Sequence, residues 1–179
     1  MTRFVKIMIL GIIISFPLAC LIYSRITAQQ AEYVTYHGDF CSFNIREDYQ
    51  LDYRRQGNSF IYTIYHPGSK DKKLTISSGH KKLKYNIAFK KGYKIQSEGS
   101  MKTINTHGVE KKGVTPNENH WREAYIYYSV NTPMGTNASY IYASYDDIDG
   151  NQSVVFNNII DSIQVKDPTK GDFTPKTNQ

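Results

Sequence analysis

Five histidines are the first residues in this chain that could do chemistry: His37, His66, His80, His107 and His120. A transition-metal site needs ligands gathered at short, regular spacings, commonly with a pair of cysteines. These histidines stand at no such spacing and no Cys pair supports them, so no metal site is expected. Asp146, Asp147 and Asp149 precede Gly150. Oxygen ligands at alternate positions before a turning glycine suit calcium. The third spaced carboxylate and the distal Glu are missing, and acidic residues there also suit the positive end of a following helix. The helix reading is preferred, with calcium at Asp147 and Asp149 left open. No serine sits in a Gly-x-Ser-x-Gly elbow, and there is no glycine-rich phosphate loop. Glu118 and Glu123 flank His120, but nothing pairs them as acid and base. The chain therefore reads as a non-enzyme without a cofactor.

Other reactive or sticky side chains point toward binding. The two cysteines are Cys20 and Cys41. Cys20 falls in an apolar N-terminal run, which leaves one thiol in the rest of the chain and no internal disulfide there. Cys41, between Phe40 and Phe43, is expected to be buried. Nine lysines lie between Lys70 and Lys94, interrupted by only one acid, Asp71. Lys81, Lys82 and Lys84 are at its centre. Such a run is either a contact surface for an acidic partner or a solvated face with edge-strand lysines that block aggregation. The fifteen tyrosines suit half-buried strands, and tyrosine is also enriched at protein contact surfaces. Tyr125, Tyr127, Tyr140 and Tyr142 on the late strands, with Met134 in the loop between them, are the candidate contact residues together with the three lysines.

Arg3 and Lys6 precede an uncharged stretch from Ile7 to Ser24. Its length is at the lower edge for crossing a bilayer and long for a signal-peptide core. Positive residues stay inside, so the chain after Arg25 is expected on the far side, facing the periplasm or the outside. Three fates compete: a retained anchor in the inner membrane, cleavage after Ala28 or Ala31, and lipidation on Cys20. Leu18-Ala19-Cys20 partly matches a lipobox, but Pro17 stands where a branched apolar residue belongs. The net charge of +6 favours an acidic partner, and export argues against nucleic acid.

The elements that must position these residues read as follows. Residues 1–30 form the export segment or anchor, 31–165 one domain, and 166–179 a polar tail expected to be disordered. Alternating apolar and polar residues predict strands at Tyr33–Tyr36, Phe40–Ile45, Phe60–Tyr65 and Leu74–Ser77. A hairpin is expected around His107-Gly108. Two long strands, Trp121–Val130 and Ser139–Tyr145, flank a loop at Asn131–Asn137. Lys81–Lys91 reads as a weakly patterned helix, with Leu83 and Ile87 one turn apart and Gly92 as its stop. Asn151–Gln164 is a clear amphipathic helix, with Val155, Ile159 and Ile163 on one stripe. The expected class is α+β: a single antiparallel sheet, a weak middle helix, and a C-terminal amphipathic helix packed on the sheet.

The strand Phe40-Cys41-Ser42-Phe43-Asn44-Ile45, the tyrosine-rich strand pair, and the ending Val155-Phe156-Asn157-Asn158-Ile159-Ile160-Asp161-Ser162-Ile163 together resemble the PsbP-like fold. The resemblance spans Phe40 to Val165. Arg46-Glu47-Asp48-Tyr49 replaces the Pro-x-x-Trp found after the first strand in that family. Similar small exported proteins include the periplasmic immunity proteins of type VI secretion systems, which bind and neutralise a toxin without activity of their own. Others are envelope lipoproteins and accessory subunits. The resemblance implies a membrane-tethered binding protein with a protein partner, an immunity protein acting on an antibacterial toxin. The alternative it implies is an accessory envelope protein that stabilises a membrane complex.

Overall fold

The computed structural model describes residues 32–38, 40–56, 59–80, 84–132 and 135–166. All its strands and its helix belong to the unit Tyr33–Gln179. They are β1 (Tyr33–His37), β2 (Cys41–Arg46), β3 (Gln50–Gln56), β4 (Ser59–Tyr65), β5 (Lys73–His80), β6 (Lys94–Lys102), β7 (His107–Val114), β8 (His120–Thr132), β9 (Gly135–Ile148), α1 (Gly150–Asp161) and β10 (Gln164–Val165). A seven-stranded sheet runs β3-β4-β5-β9-β8-β7-β6, and a three-stranded sheet runs β1-β2-β10. All pairings are antiparallel.

This corrects the expected single sheet with two helices. The chain is mostly β, in two sheets, with one short helix among the described residues. Cys41 and Phe43 are each only 1% exposed, so the β1–β2 hairpin must bury an apolar face. It does so over the large sheet rather than at its edge. Tyr36 and Phe43 pack on Tyr62 of β4 with ring centroids 5.6 and 5.7 Å away, and Phe40 packs on Phe60 at 4.7 Å. β10 then closes the small sheet against β2, where the Lys166 N–H donates to the Phe40 carbonyl at 2.9 Å.

The expected middle helix does not form. Residues 81–83 lie outside the described part, and 84–93 is a run of bends and turns without a helix. Its backbone donors go elsewhere: Lys84 N–H to the Tyr125 hydroxyl, Asn86 N–H and Ala88 N–H to the Glu123 carboxylate. A helix would send donors to carbonyls four residues back; buried side-chain acceptors on β8 offer a stronger, charge-assisted alternative.

The C-terminal helix ends at Asp161, short of the expected Gln164, because Ser162 caps it and Gln164–Val165 pairs with β2. Asp149 is its N-cap, accepting from Asn151 N–H and Gln152 N–H at 3.0 Å each. Val155, Phe156, Ile159 and Ile160 face the core. Phe156 meets Tyr145 and Tyr49 at 5.7 and 5.8 Å. The main core thus lies between the inner face of the large sheet on one side and α1 with the small sheet on the other. Ile64, Leu74, Ile76, Ile126 and Ile141 are fully enclosed there.

The candidate partner-binding face

Strand alternation decides which residues reach the outer face of the large sheet, away from α1. On β8 they are Trp121, Glu123, Tyr125 and Tyr127. The β8–β9 register sets Tyr142 opposite Tyr125 and Tyr140 opposite Tyr127. Four of the tyrosines expected to make contacts therefore stand together. Tyr125 lies 4.8 Å from Tyr142 and 6.0 Å from Tyr140, and Tyr127 lies 5.0 Å from Tyr140. His107, exposed on β7, extends the group at 5.0 Å from Tyr127.

The segment 84–93 lies over part of this face. Tyr85 stands edge-on to Tyr125 at 5.3 Å. Ile87 and Ala88 cover Trp121, which is fully buried. The Tyr125 hydroxyl accepts from Lys84 N–H at 2.8 Å and donates to the Lys84 carbonyl at 2.5 Å. Glu123, fully buried, accepts from Asn86 N–H at 2.7 Å, Ala88 N–H at 2.9 Å and the Tyr142 hydroxyl at 2.7 Å. Three donors satisfy a carboxylate in that setting. Lys111 reaches over the rings of Tyr85 and Phe89 at 4.9 and 5.8 Å and pairs with Glu98 at 2.9 Å. Phe89 itself is 75% exposed.

The phenols of Tyr85, Tyr125 and Tyr142 are held neutral. Burial, then the nearby carboxylates of Glu98 and Glu123, push Tyr85 up to about 12. Burial raises Tyr142 further, and its bond to Glu123 adds to this. Tyr125 is raised by burial as well. These rings act as hydrogen-bond donors and apolar plates, not as phenolates.

The expected contact residues thus divide. Tyr125 is only 2% exposed and fastens segment 84–93; a partner cannot reach it. Tyr127, Tyr140 and Tyr142 are half-buried and Lys84 is exposed on the overlying segment. Lys81, Lys82, Met134 and Cys20 lie outside the described residues, as do the export segment before Glu32 and the tail after Lys166. Of the expected loop Asn131–Asn137, Asn131 and Thr132 belong to β8 and Gly135 to Asn137 to β9, with Asn131 opposite Thr136 and Thr132 opposite Gly135, while Pro133 and Met134 lie outside the described residues.

Asp147 pairs with Lys72 at 3.1 Å and accepts from Asn119 at 2.9 Å. Those bonds, Asn119 first and Lys72 next, hold it below the usual carboxylate range. Among the described residues no three His, Cys, Asp or Glu side chains gather as a metal site, and no helix there is long and apolar enough to cross a membrane. Cys41 is buried and its thiol is pushed up to about 12 by that burial, against a small opposing pull from Lys166.

Sequence reasoning did not assign Glu123, Phe89 or His107 to this face. Alternation from Tyr125 already places Glu123 beside it, and a carboxylate inside an aromatic strand face is itself a signal of buried donors. Nothing in the local pattern shows that Phe89 stays exposed. No protein-family model and no curated protein matches the chain.

Proposed function

We propose that this chain is a non-catalytic binding protein that docks an acidic protein partner on the outer face of its large sheet. One observation carries the reading. An unbroken ring network runs from His107 through Tyr127 and Tyr140 to Tyr125, Tyr142 and Tyr85, and Lys111 links it to the exposed Phe89. Exposed Lys84, Lys91 and Lys102 come from the elements bordering it. Aromatic anchors inside a charged rim are what a specific contact surface requires, and the cationic rim selects an acidic partner. Glu123 is enclosed by its three donors, which supports a binding role over a catalytic one.

The apolar N-terminal run and the resemblance to type VI immunity proteins support a membrane-tethered role facing the periplasm, with a toxin as the partner. The chain would neutralise that toxin by covering its working surface. The test uses the full chain as bait against envelope and secreted proteins of the native cell. The expected result is one stoichiometric partner, lost in a Tyr127→Ala/Tyr140→Ala variant that keeps its circular dichroism. That partner, expressed alone in the envelope, should arrest growth, and co-expression of the chain should restore it. Capture that ignores the tyrosines, or a harmless partner, would refute the reading.

A further inference from the structure

β3 and β6 are the outer strands of the large sheet, and they differ in how they are guarded. Edge strands are protected from pairing by bulges, lysines or covering segments. β6 carries a register shift between Ile95 and Ser97 and begins and ends on lysine. β3 has no lysine and no register shift, and its charges, Asp52, Arg54 and Arg55, are of both signs. Its pairing with β4 runs in unbroken register from Gln50 opposite Tyr65 to Gln56 opposite Ser59. It contains no Pro, Gly or Lys. Its residues are exposed apart from the half-buried Leu51, and among the described residues no strand pairs on its far side.

The sequence of β3 is self-complementary about its centre. A second copy adding antiparallel to this edge, with each outer face continuing into the other, must oppose residues of the same face. A two-fold axis at Tyr53 sets Asp52 against Arg54 of the other copy, and Arg54 against its Asp52. Gln50 then faces Gln56, Leu51 lies along the stem of Arg55, and the two Tyr53 rings meet. Tyr53 is 47% exposed and already stacks on Phe60 at 5.8 Å and beside Tyr62 at 5.5 Å, so its ring is held in place for a partner ring. Shifting the axis to Asp52 opposes two aspartates; shifting it to Arg54 opposes two arginines. Opposite charges directly across a strand pair stabilise it and like charges destabilise it. Only the tyrosine-centred register among these three is free of repulsion.

We propose that β3 is a homodimer edge, through which two copies of this chain join their large sheets into one continuous antiparallel sheet with Tyr53 on the two-fold axis. This surface is separate from the aromatic face around Tyr127 and leaves it open in both copies.

The test is the mass of the full-length protein in detergent, followed by light scattering over a concentration series, with a charge-swap cycle. The wild type is expected to pass from monomer to dimer. Asp52→Arg opposes Arg to Arg twice and Arg54→Asp opposes Asp to Asp twice, so each should weaken the dimer about tenfold or more, a change of roughly 1.4 kcal/mol per factor of ten. The double variant Asp52→Arg/Arg54→Asp restores both pairs and should recover the wild-type constant. In a Cys20→Ser background, Tyr53→Cys should form a disulfide-linked dimer on mild oxidation, since directly opposed residues lie within bridging distance. A protein that stays monomeric at every concentration, or a dimer indifferent to both single swaps, overturns the proposal. A dimer that the single swaps weaken but the double swap does not restore overturns the register.

Discussion

Glu123→Gln isolates what holds segment 84–93 on the sheet. The carboxylate uses one oxygen for Asn86 N–H and the Tyr142 hydroxyl and the other for Ala88 N–H. A glutamine can keep its carbonyl on the shared side. Its amide nitrogen then faces the Ala88 N–H, donor against donor, and that buried amide loses its acceptor. Leaving one buried donor unsatisfied costs about 1–3 kcal/mol. A loss of about 2 kcal/mol speeds exchange of the Ala88 amide about thirtyfold, while Asn86, which keeps an acceptor, changes less. Glu123→Ala removes all three bonds and should cost about 4 kcal/mol, softened because Asn86 is exposed and water can reach it. The assay is native-state hydrogen exchange resolved by residue, alongside urea denaturation. If Glu123→Gln lowers the unfolding midpoint while Ala88 exchange stays unchanged relative to the core, the carboxylate is not what fastens the segment. Equal acceleration at Asn86 and Ala88 would refute the assignment of oxygens.

Other perturbations follow from the same contacts. Arg122→Met should destabilise the fold by about 3 kcal/mol, because it removes the buried guanidinium that donates to Glu110 at 2.7 Å and leaves that carboxylate only the more exposed Lys112 at 3.1 Å; thermal unfolding measures this. Asp149→Ala removes the cap of α1 and should cost about 1 kcal/mol, read as a lowered unfolding midpoint. Asp147 is depressed below its ordinary 3.8, so the stability it gives is present above that pH and is lost as pH falls through its lower folded value. Asp147→Asn should therefore flatten the acid limb of a stability-against-pH curve. Cys41 is raised from 9.0 to about 12, so its contribution is full below pH 9.0 and fades as pH rises toward 12. In a Cys20→Ser background a thiol reagent at pH 8 should label it only at the rate of opening, and fast labelling of that native protein would contradict its burial.

The parts of this fold that could be read in the sequence are those whose burial is two-sided or strictly alternating. β4 shows it, with Phe60, Tyr62 and Ile64 on one face, and so do β8 and β9. β3 could not be read this way. Gln50–Gln56 exposes nearly every side chain, so no hydrophobic period marks it and only its pairing with β4 defines it. Segment 84–93 misled for the opposite reason. Ile87 does face inward, but against Trp121 as part of an irregular cover, and the spacing from Leu83 imitated a helical turn. The end of the helical stripe misled in the same way, since Ile163 is buried beyond the helix, just before β10. For the site, alternation and hairpin register were enough to gather Tyr125, Tyr127, Tyr140 and Tyr142. They could not show that Tyr125 is covered, because its cover comes from far along the chain.

Adjacent residues of β8 explain how both faces of the sheet acquire their covers. Arg122 and Glu123 point to opposite faces. On the inner face Arg122, 3% exposed, donates to Glu110 of β7 and reaches α1 through Asn157 at 2.9 Å and Asp161 at 2.7 Å. On the outer face Glu123 takes the Asn86 and Ala88 amides of segment 84–93. Each charge is costly to bury alone, and each is satisfied by the element that covers its face. The same strand thus fixes where the helix lies and where the irregular cover lies. Tyr127 is one of the next outer-face residues beyond Glu123 and Tyr125, and it remains half-exposed because no backbone donor of segment 84–93 reaches that far. Extending the cover would bury the ring pair Tyr127–Tyr140. Removing the charge at Glu123 should instead uncover Tyr125 and enlarge the aromatic surface, so a partner that docks there should bind Glu123→Gln with altered affinity even though the substituted side chain is never touched.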